Sequence, residues 1–542
     1  MFKISGTLAG LAVAFSLLAS CSAPTSSSSS SSPASTTSWG TNPLVSVSSP
    51  SSTPASSITA ALPANVSDGV TLDAWLWTFA QVQANLANIA AAGYNAVQVS
   101  PLEPTKQTSI SESQWYLFYQ PCDLTVGNAQ LGNEAAFKAL TAAAATYGIK
   151  IIVDAVLNHV ADNGTVGGLD PNVASYIQSN KATWFHNGPT VPSNQWSNRQ
   201  YATQDDLDNE PDWNTQNTTV QSLILGFLNQ CVADGAGGFR FDAAKSIETN
   251  AGVDAGNSWT GAGAAGSVTL YKWDPVNLAL TTTPYSVPGT GNFWDDVLPN
   301  LTNKTNLFLY GEVIEQGADS YGPGDNEAGY QTYCRTTETN AMGQIYNAVS
   351  SGNLTGLTSF QGSTEATENP NKIVVYTEDW DDYAGSLYQT TNQTYTQRLL
   401  ENAILTARAG MVNIVFVRPN EGLWWDPSLV AVNTFRNAVV GDTEYLEYGG
   451  NGAVAANSVL VIKRQYASGT NSGNDQGIVL VNDSSSTQSV QVSTSLPAGS
   501  YTDKGPSGTT FTVTAGTTGI TSPNGGNTLT GNVPANGVVV LM

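Results

Sequence analysis

The stretch Gly238-Phe239-Arg240-Phe241-Asp242-Ala243-Ala244-Lys245 reads as a short strand, Gly238 to Phe241, that ends in charge. Arg240 and Asp242 lie two residues apart, so both side chains point the same way. Just upstream, Val220, Leu223, Ile224, Phe227, Leu228 and Cys231 recur at helical spacing. Working outward, the same alternation repeats. Val70 to Trp75 is a strand, and Phe79, Val82, Leu86 and Ile89 form a helix closed by Gly93. Ala96 to Val99 is the next strand. Asn133 then caps a helix with Phe137, Leu140, Ala144 and Tyr147 on one face, stopped by Gly148. Ile149 to Val153, Leu307 to Gly311, Ile373 to Tyr376 and Val412 to Phe416 continue the series. Repeated strand–helix units over about 370 residues give an α/β class and predict a parallel (β/α)8 TIM barrel over residues 63–435. No nucleotide-binding glycine fingerprint follows the first strand, which weakens an open dinucleotide-binding sheet. The pattern breaks after the third strand, over about 160–206, into Gly, Asn, Asp and Trp, and predicts an inserted domain there. After Phe435 the helical period disappears. Ser458 to Ile462, Ile478 to Val481, Val490 to Val492 and Val538 to Leu541 predict an all-β C-terminal sandwich over 436–542.

Composition narrows the function classes. Of 542 residues 41% are hydrophobic, with 13 Trp, 21 Tyr and 15 Phe, enough for large cores. Forty-two acids against 19 bases leave a net charge of −23, which argues against binding to nucleic acid or an anionic membrane surface, since both need basic patches. Met1-Phe2-Lys3 followed by the apolar run Leu8 to Leu18 fits a secretory signal over residues 1–21. It ends Leu18-Ala19-Ser20-Cys21, which resembles the lipobox of bacterial lipoproteins, with Cys21 as the lipidated residue. Ordinary cleavage after Ala23 is the alternative. Residues 22–62, with the serine run Ser26 to Ser32, read as a flexible tether with nothing to bury. The expected location is extracellular or cell-surface, with the membrane reached only through the lipid. Besides Cys21 the chain has Cys122, Cys231 and Cys334, too few for a disulfide scaffold, and the pairing stays open.

In a barrel of this kind the active site lies at the C-terminal ends of the strands. Acids gather there: Asp154-Ala155-Val156-Leu157-Asn158-His159 after the third strand, Asp242 after the fourth, Glu312-Val313-Ile314 after the fifth, and Glu378-Asp379-Trp380-Asp381 after the seventh. In this order the segments resemble the signature regions of the α-amylase family of glycoside hydrolases. Trp115-Tyr116-Leu117-Phe118-Tyr119-Gln120-Pro121 and Phe435-Arg436-Asn437-Ala438-Val439-Val440-Gly441 resemble the animal-type and related bacterial branch. The resemblance implies retaining hydrolysis of internal α-1,4 bonds in starch, glycogen or maltooligosaccharides, with two carboxylates flanking the bond. Carried over by motif, Asp242 is the nucleophile, Glu312 the general acid/base and Asp381 the third acid. Arg240 is expected to keep Asp242 ionised. His159, Lys245, Gln120, Trp380 and the aromatics Trp115, Tyr116 and Tyr119, taken as exposed, are expected to meet sugar.

The resemblance also implies a structural Ca²⁺ pinning the inserted domain through Asn158, Asp212 and the backbone carbonyl of Ser246, where the family usually has His. An oxygen-only donor set suits Ca²⁺. One departure is sharper. Trp380 stands where the family has a histidine beside the third acid, and an indole donates one hydrogen bond and cannot titrate. Asp379 stands where chloride-dependent members have an amide, which argues against chloride activation. The reading is a monomeric α-amylase. The alternatives are a related α-glucan enzyme with altered specificity or transglycosylation, and a non-catalytic glucan-binding surface lipoprotein.

Overall fold

Eight short strands close into a parallel barrel in the computed structural model. It describes residues 43–260, 266–274, 279–289, 292–314, 318–319, 322–323, 326–354, 356–358, 369–385, 390–449, 458–516 and 526–542. The barrel strands are β1 (Val70–Ala74), β2 (Ala96–Val99), β3 (Lys150–Val156), β4 (Gly238–Asp242), β5 (Phe308–Gly311), β6 (Arg335–Thr337), β7 (Ile373–Tyr376) and β8 (Val412–Phe416). They run in sequence order around the barrel, and β8 closes on β1 with Val70 opposite Asn413. In register, Asp154 faces Arg240 and Arg240 faces Tyr310. The lumen is filled by Ala96, Ile152, Phe308, Tyr310, Val374, Tyr376, Val412 and Ile414. It is a packed core that supports the strand ends, not a pore. The (β/α)8 class is therefore as the sequence reads. The sixth strand, Arg-Thr-Thr, has no apolar run to betray it and is identified only by its pairing with β5 and β7.

Helices cover the barrel. Thr78 caps α1 (Phe79–Ala91) with a reciprocal box to Gln81, and Phe79, Val82, Leu86 and Ile89 are buried. Each such side chain contributes about 1.5–3 kcal/mol. Gly93, at φ +88°, ends the helix in a conformation that side chains avoid. Asn133 caps α2 (Glu134–Thr146) by accepting from the Ala136 N–H, as expected, and Gly148 follows at φ +75°. Further on lie α3 (Thr218–Ala233), α4 (Thr339–Ser351), the single turn α5 (Trp380–Tyr383), α6 (Tyr395–Ala407) and α7 (Pro427–Ala438).

The segment between β3 and α3 holds only short helices and isolated bridges, the extended ones joining His159 to Asp212 and Phe185 to Trp213. It thus returns to the barrel at Asp212, six residues beyond the expected end at 206. The C-terminal part is two four-stranded antiparallel sheets. One contains β9 (Thr443–Tyr448), β10 (Val459–Gln465), β11 (Asp475–Asn482) and β16 (Gly537–Leu541). The other contains β12 (Gln488–Thr494), β13 (Gly499–Thr502), β14 (Thr510–Thr514) and β15 (Asn527–Val533). Their facing sides share a core of Val459, Leu480, Val492, Phe511 and Leu529. The division drawn at 435/436 falls inside α7, whose buried face continues to Asn437.

The tether 22–62 needs a larger correction. Residues 1–42, including the leader and Cys21, lie outside the described residues. From Pro43 onward the chain is laid on the fold. Val45 is buried in the main core, its carbonyl accepts from Gln81, and the Ser46 carbonyl accepts from the Asn420 N–H. Ile58 is buried among Ile345, Val349 and C-terminal sheet residues, and Ser57 donates to the Lys504 carbonyl. A few apolar residues in a polar stretch dock it: Leu44, Val45, Val47 and Leu62 on the main core and Ile58 on the second. Cys122, Cys231 and Cys334 are all buried free thiols. Among the described residues no helix is long and apolar enough to cross a membrane.

Candidate active site

Arg240 organises the strand ends. Its Nη1 donates to Asp154 Oδ1 and to Asp242 Oδ1, both at 2.7 Å, and its Nη2 lies 3.0 Å from Glu312 Oε2. The register explains this: Asp154, Arg240 and Asp242 occupy inward positions of neighbouring strands, and Glu312 follows the last residue of β5. Ala243 turns left-handed immediately after Asp242, at φ +44°. That conformation costs a residue with a Cβ about 1–2 kcal/mol, and it aims the Ala243 N–H at Glu312 Oε2, 2.9 Å away. Gly311 is needed just before Glu312, because a Cβ there would stand 2.7 Å from the Ala244 methyl. Backbone also links the two strand ends, Glu312 N to the Phe241 carbonyl and Lys245 N to the Glu312 carbonyl.

The electrostatics are those of many carboxyls sharing one guanidinium. Burial raises the Asp242 pKa above its ordinary value. Arg240 and His159 oppose that and Glu312 adds to it. Arg240 thus favours the ionised carboxylate as expected, but burial outweighs it. Asp154 is pushed up to about 7, by burial first, although it accepts from both Arg240 and the Tyr119 hydroxyl. Asp381 is half-buried and raised well above the usual range, by burial and then by Asp379 and Glu312. Asp379 caps α5, accepting from the Asp381 and Asp382 N–H groups, and is raised to about 6.

The expected sugar contacts sort unevenly. Tyr116 is exposed and Trp115 half-buried, but Tyr119 is buried, against expectation. The Trp380 ring stacks on it at 5.3 Å and 21°. The sequence could not show this, because the covering ring comes from the opposite side of the barrel. Gln120 is buried and donates to Glu210. His159 is buried, with Nε2 2.8 Å from the Tyr119 carbonyl and 3.0 Å from Glu210 Oε2, while Nδ1 meets no partner. Burial lowers its pKa, but Glu210, Asp242 and the Tyr119 carbonyl together raise it above the usual value. Lys245 is buried, and its carbonyl accepts from the buried Arg199 and from Tyr330. Asp154 and Glu210, which fix Arg240 and His159, carry no sequence signal beyond being acids near a strand end or in a loop.

The inserted segment brings Asn158 and Asp212 together. The Trp213 N–H donates to the Asn158 carbonyl at 2.9 Å, and His159 bridges Asp212. The Asn158 side chain is buried with neither amide atom in a normal hydrogen bond, and Asp206 Oδ2 is likewise orphaned. Burial and Asp206 raise Asp212 well above the carboxylate range, and the nearby Asn158 amide only partly offsets them. His186 Nδ1 lies 2.5 Å from Asp212 Oδ2. Ser246 is buried in the turn after β4. Orphaned oxygen donors beside a carboxyl that burial disfavours as an anion fit a hard cation. Among the described residues no group of three or more His, Cys, Asp or Glu could hold a metal. A cation here would therefore rely on amide and carbonyl oxygens alongside Asp212.

A family model described as alpha amylase, catalytic domain, matches residues 80–343. An α-amylase of Clostridium acetobutylicum is 37% identical over 490 residues, 89% of this chain and 54% of that protein. The chain belongs to the α-amylase family. An α-amylase of Butyrivibrio fibrisolvens is 29% identical, over 88% of this chain and 47% of that one, so the chain spans about half the length of both relatives. Among solved structures, α-amylase I of Eisenia fetida superposes with a TM-score of 0.59 at 17% identity, covering 90% of this chain and 99% of that one. An Anoxybacillus α-amylase gives 0.60 at 14%, covering 88% and 98%. These two similarities speak for the α-amylase fold alone. In this chain the strand-end acids of β3, β4 and β5 all contact Arg240.

Proposed function

We propose that this member of the family hydrolyses internal α-1,4 bonds of starch-like glucans with retention of configuration. The observation that carries the reading is the sharing of Arg240 by Asp242 and Glu312. One guanidinium in contact with both carboxyls keeps them near each other, and double displacement needs such a close pair, roughly 5–5.5 Å apart. Asp242, kept partly ionised by Arg240, attacks the anomeric carbon. Glu312 gives its proton to the leaving oxygen, then takes one from the water that cleaves the glycosyl-enzyme. Asp381, beside both, binds sugar hydroxyls, and Trp115 and Tyr116 line the approach. Asn158, Asp212 and the Ser246 carbonyl would hold Ca²⁺, which when bound ties the insert to the barrel by charge and coordination. Asp379, committed to capping α5, leaves no place for chloride. The protein works as a monomer, exported and held at the cell surface through Cys21.

Release of reducing sugar from soluble starch tests the reading, wild type against Glu312→Gln. The wild type should be active and the variant reduced by several orders of magnitude. Equal rates would refute the assignment. No release by either protein would favour a glucan-binding role.

A further inference from the structure

Trp380 is the departure from the family pattern that the structure makes most of. Its indole is buried and packs against two things at once, the Tyr119 ring at 5.3 Å and the Arg240 guanidinium carbon, 4.7 Å from the indole centroid. Its backbone is held by the reciprocal cap between Asp379 and Asp382 at the start of α5, so the ring is delivered from a fixed point. The guanidinium it covers is the one that joins Asp154, Asp242 and Glu312. A flat cation under an aromatic face keeps its edge, and therefore its N–H donors, turned outward.

We propose that Trp380 is a positioning residue for the catalytic carboxyls: clamped between the Tyr119 ring and the guanidinium, its indole fixes Arg240 edge-on to Asp242 and Glu312. The proposal rests on the α-glucanase reading. It assigns Trp380 an action on the reacting groups through Arg240, which a merely bulky replacement of histidine would lack.

The consequence for pH follows from the groups that face Arg240 and Asp242. These are Asp73 on β1, Glu103 and Tyr119 after β2, Asp154 on β3, His159 in the insert, Tyr310 on β5, Glu312 after β5, and Asp379 and Asp381 after β7. Only Arg240 and His159 are cationic, and Arg240 is the stronger restraint on Asp242. A loosened guanidinium lets the Asp242 pKa rise, so the acid limb of kcat/KM moves to higher pH.

The experiment measures kcat, KM and pH profiles on maltohexaose for wild type, Trp380→Leu, Trp380→Phe and Trp380→His. Trp380→Leu should lose about tenfold or more in kcat with little change in KM, and its acid limb should rise by about half a unit or more. Trp380→Phe, which keeps an aromatic face, should recover most of the loss. A Trp380→Leu variant with wild-type kcat, or one that is merely less heat-stable with an unmoved pH profile, overturns the proposal. So does a Trp380→His variant faster than wild type, which would make the indole an obstruction. A second readout separates this from the function itself. In arginine-labelled protein, the Arg240 side-chain N–H signal, assigned with Arg240→Lys, should be ring-current shifted and slow to exchange. Trp380→Leu should remove both properties and Trp380→Phe preserve them. If wild type releases nothing from maltohexaose, the α-glucanase reading falls while this signal still decides the position of the ring.

Discussion

Glu103, in the loop after β2, is a buried carboxyl with no cationic partner among the described residues. One oxygen accepts from the Val156 N–H at 3.0 Å, and the other is orphaned. Burial pushes its pKa up to about 8, and Asp154 and Asp242 push the same way. An unfolded Glu titrates near 4.3. Between the two values the folded chain binds the proton and the unfolded chain does not, so this residue's share of stability is present below about pH 4 and is lost as pH rises towards 8. Glu103→Gln keeps the acceptor and removes the titration. It should flatten the fall in stability between pH 5 and pH 8 by at most a few kcal/mol. Urea unfolding at both pH values checks this, and an unchanged difference would mean that Glu103 does not carry the slope. At this scale the sequence showed where Asp242, Glu312 and Asp381 stand, because each lies at or shortly after the end of a strand. It could not show that Tyr119 is covered or that Gln120 is spent on Glu210, since those partners meet only through the closed barrel.

Among the elements, the insert between β3 and α3 is the one least able to hold itself. It has no regular sheet, and it meets the barrel through single bridges around Asn158 and Asp212. If those residues bind Ca²⁺, excess chelator should lower the melting temperature, because an ion bound only by the folded state stabilises it by mass action. Asn158→Ala should lower it to a similar level and abolish the response to chelator. A melting curve indifferent to chelator would leave the orphaned Asn158 amide without its explanation. The seven strands legible from the sequence are those with an apolar run, and β6 was not because its burial comes from its neighbours. The insert was legible only as a break in pattern. Its return to the barrel at Asp212 depends on pairing with His159, far away in sequence.

For the whole molecule, the segment from Pro43 to Leu62 sets how the parts are joined. It touches α1 at one end and the C-terminal part at the other, through Val45 and Ile58. Composition hid this, since serine and threonine dominate the stretch around Ile58 and follow Val47. Ile58→Ala should destabilise the chain by about 2 kcal/mol, the lower end for a large-to-small change because the site lies near the surface. Thermal unfolding measures it, and no change would mean the segment only rests on the fold. Cys21, if lipidated, anchors the chain to a membrane. Wild type should enter the detergent phase on partitioning and Cys21→Ala should not, and wild type found wholly in the aqueous phase would favour ordinary secretion. The contact of Ser57 with Lys504 spans 447 positions. Residues made early in synthesis therefore find their seat only after the C-terminal sheets have been made and folded. Until then the seat of Ile58 stands open, so a chain stalled late in synthesis or export keeps an apolar seat exposed to chaperones and proteases.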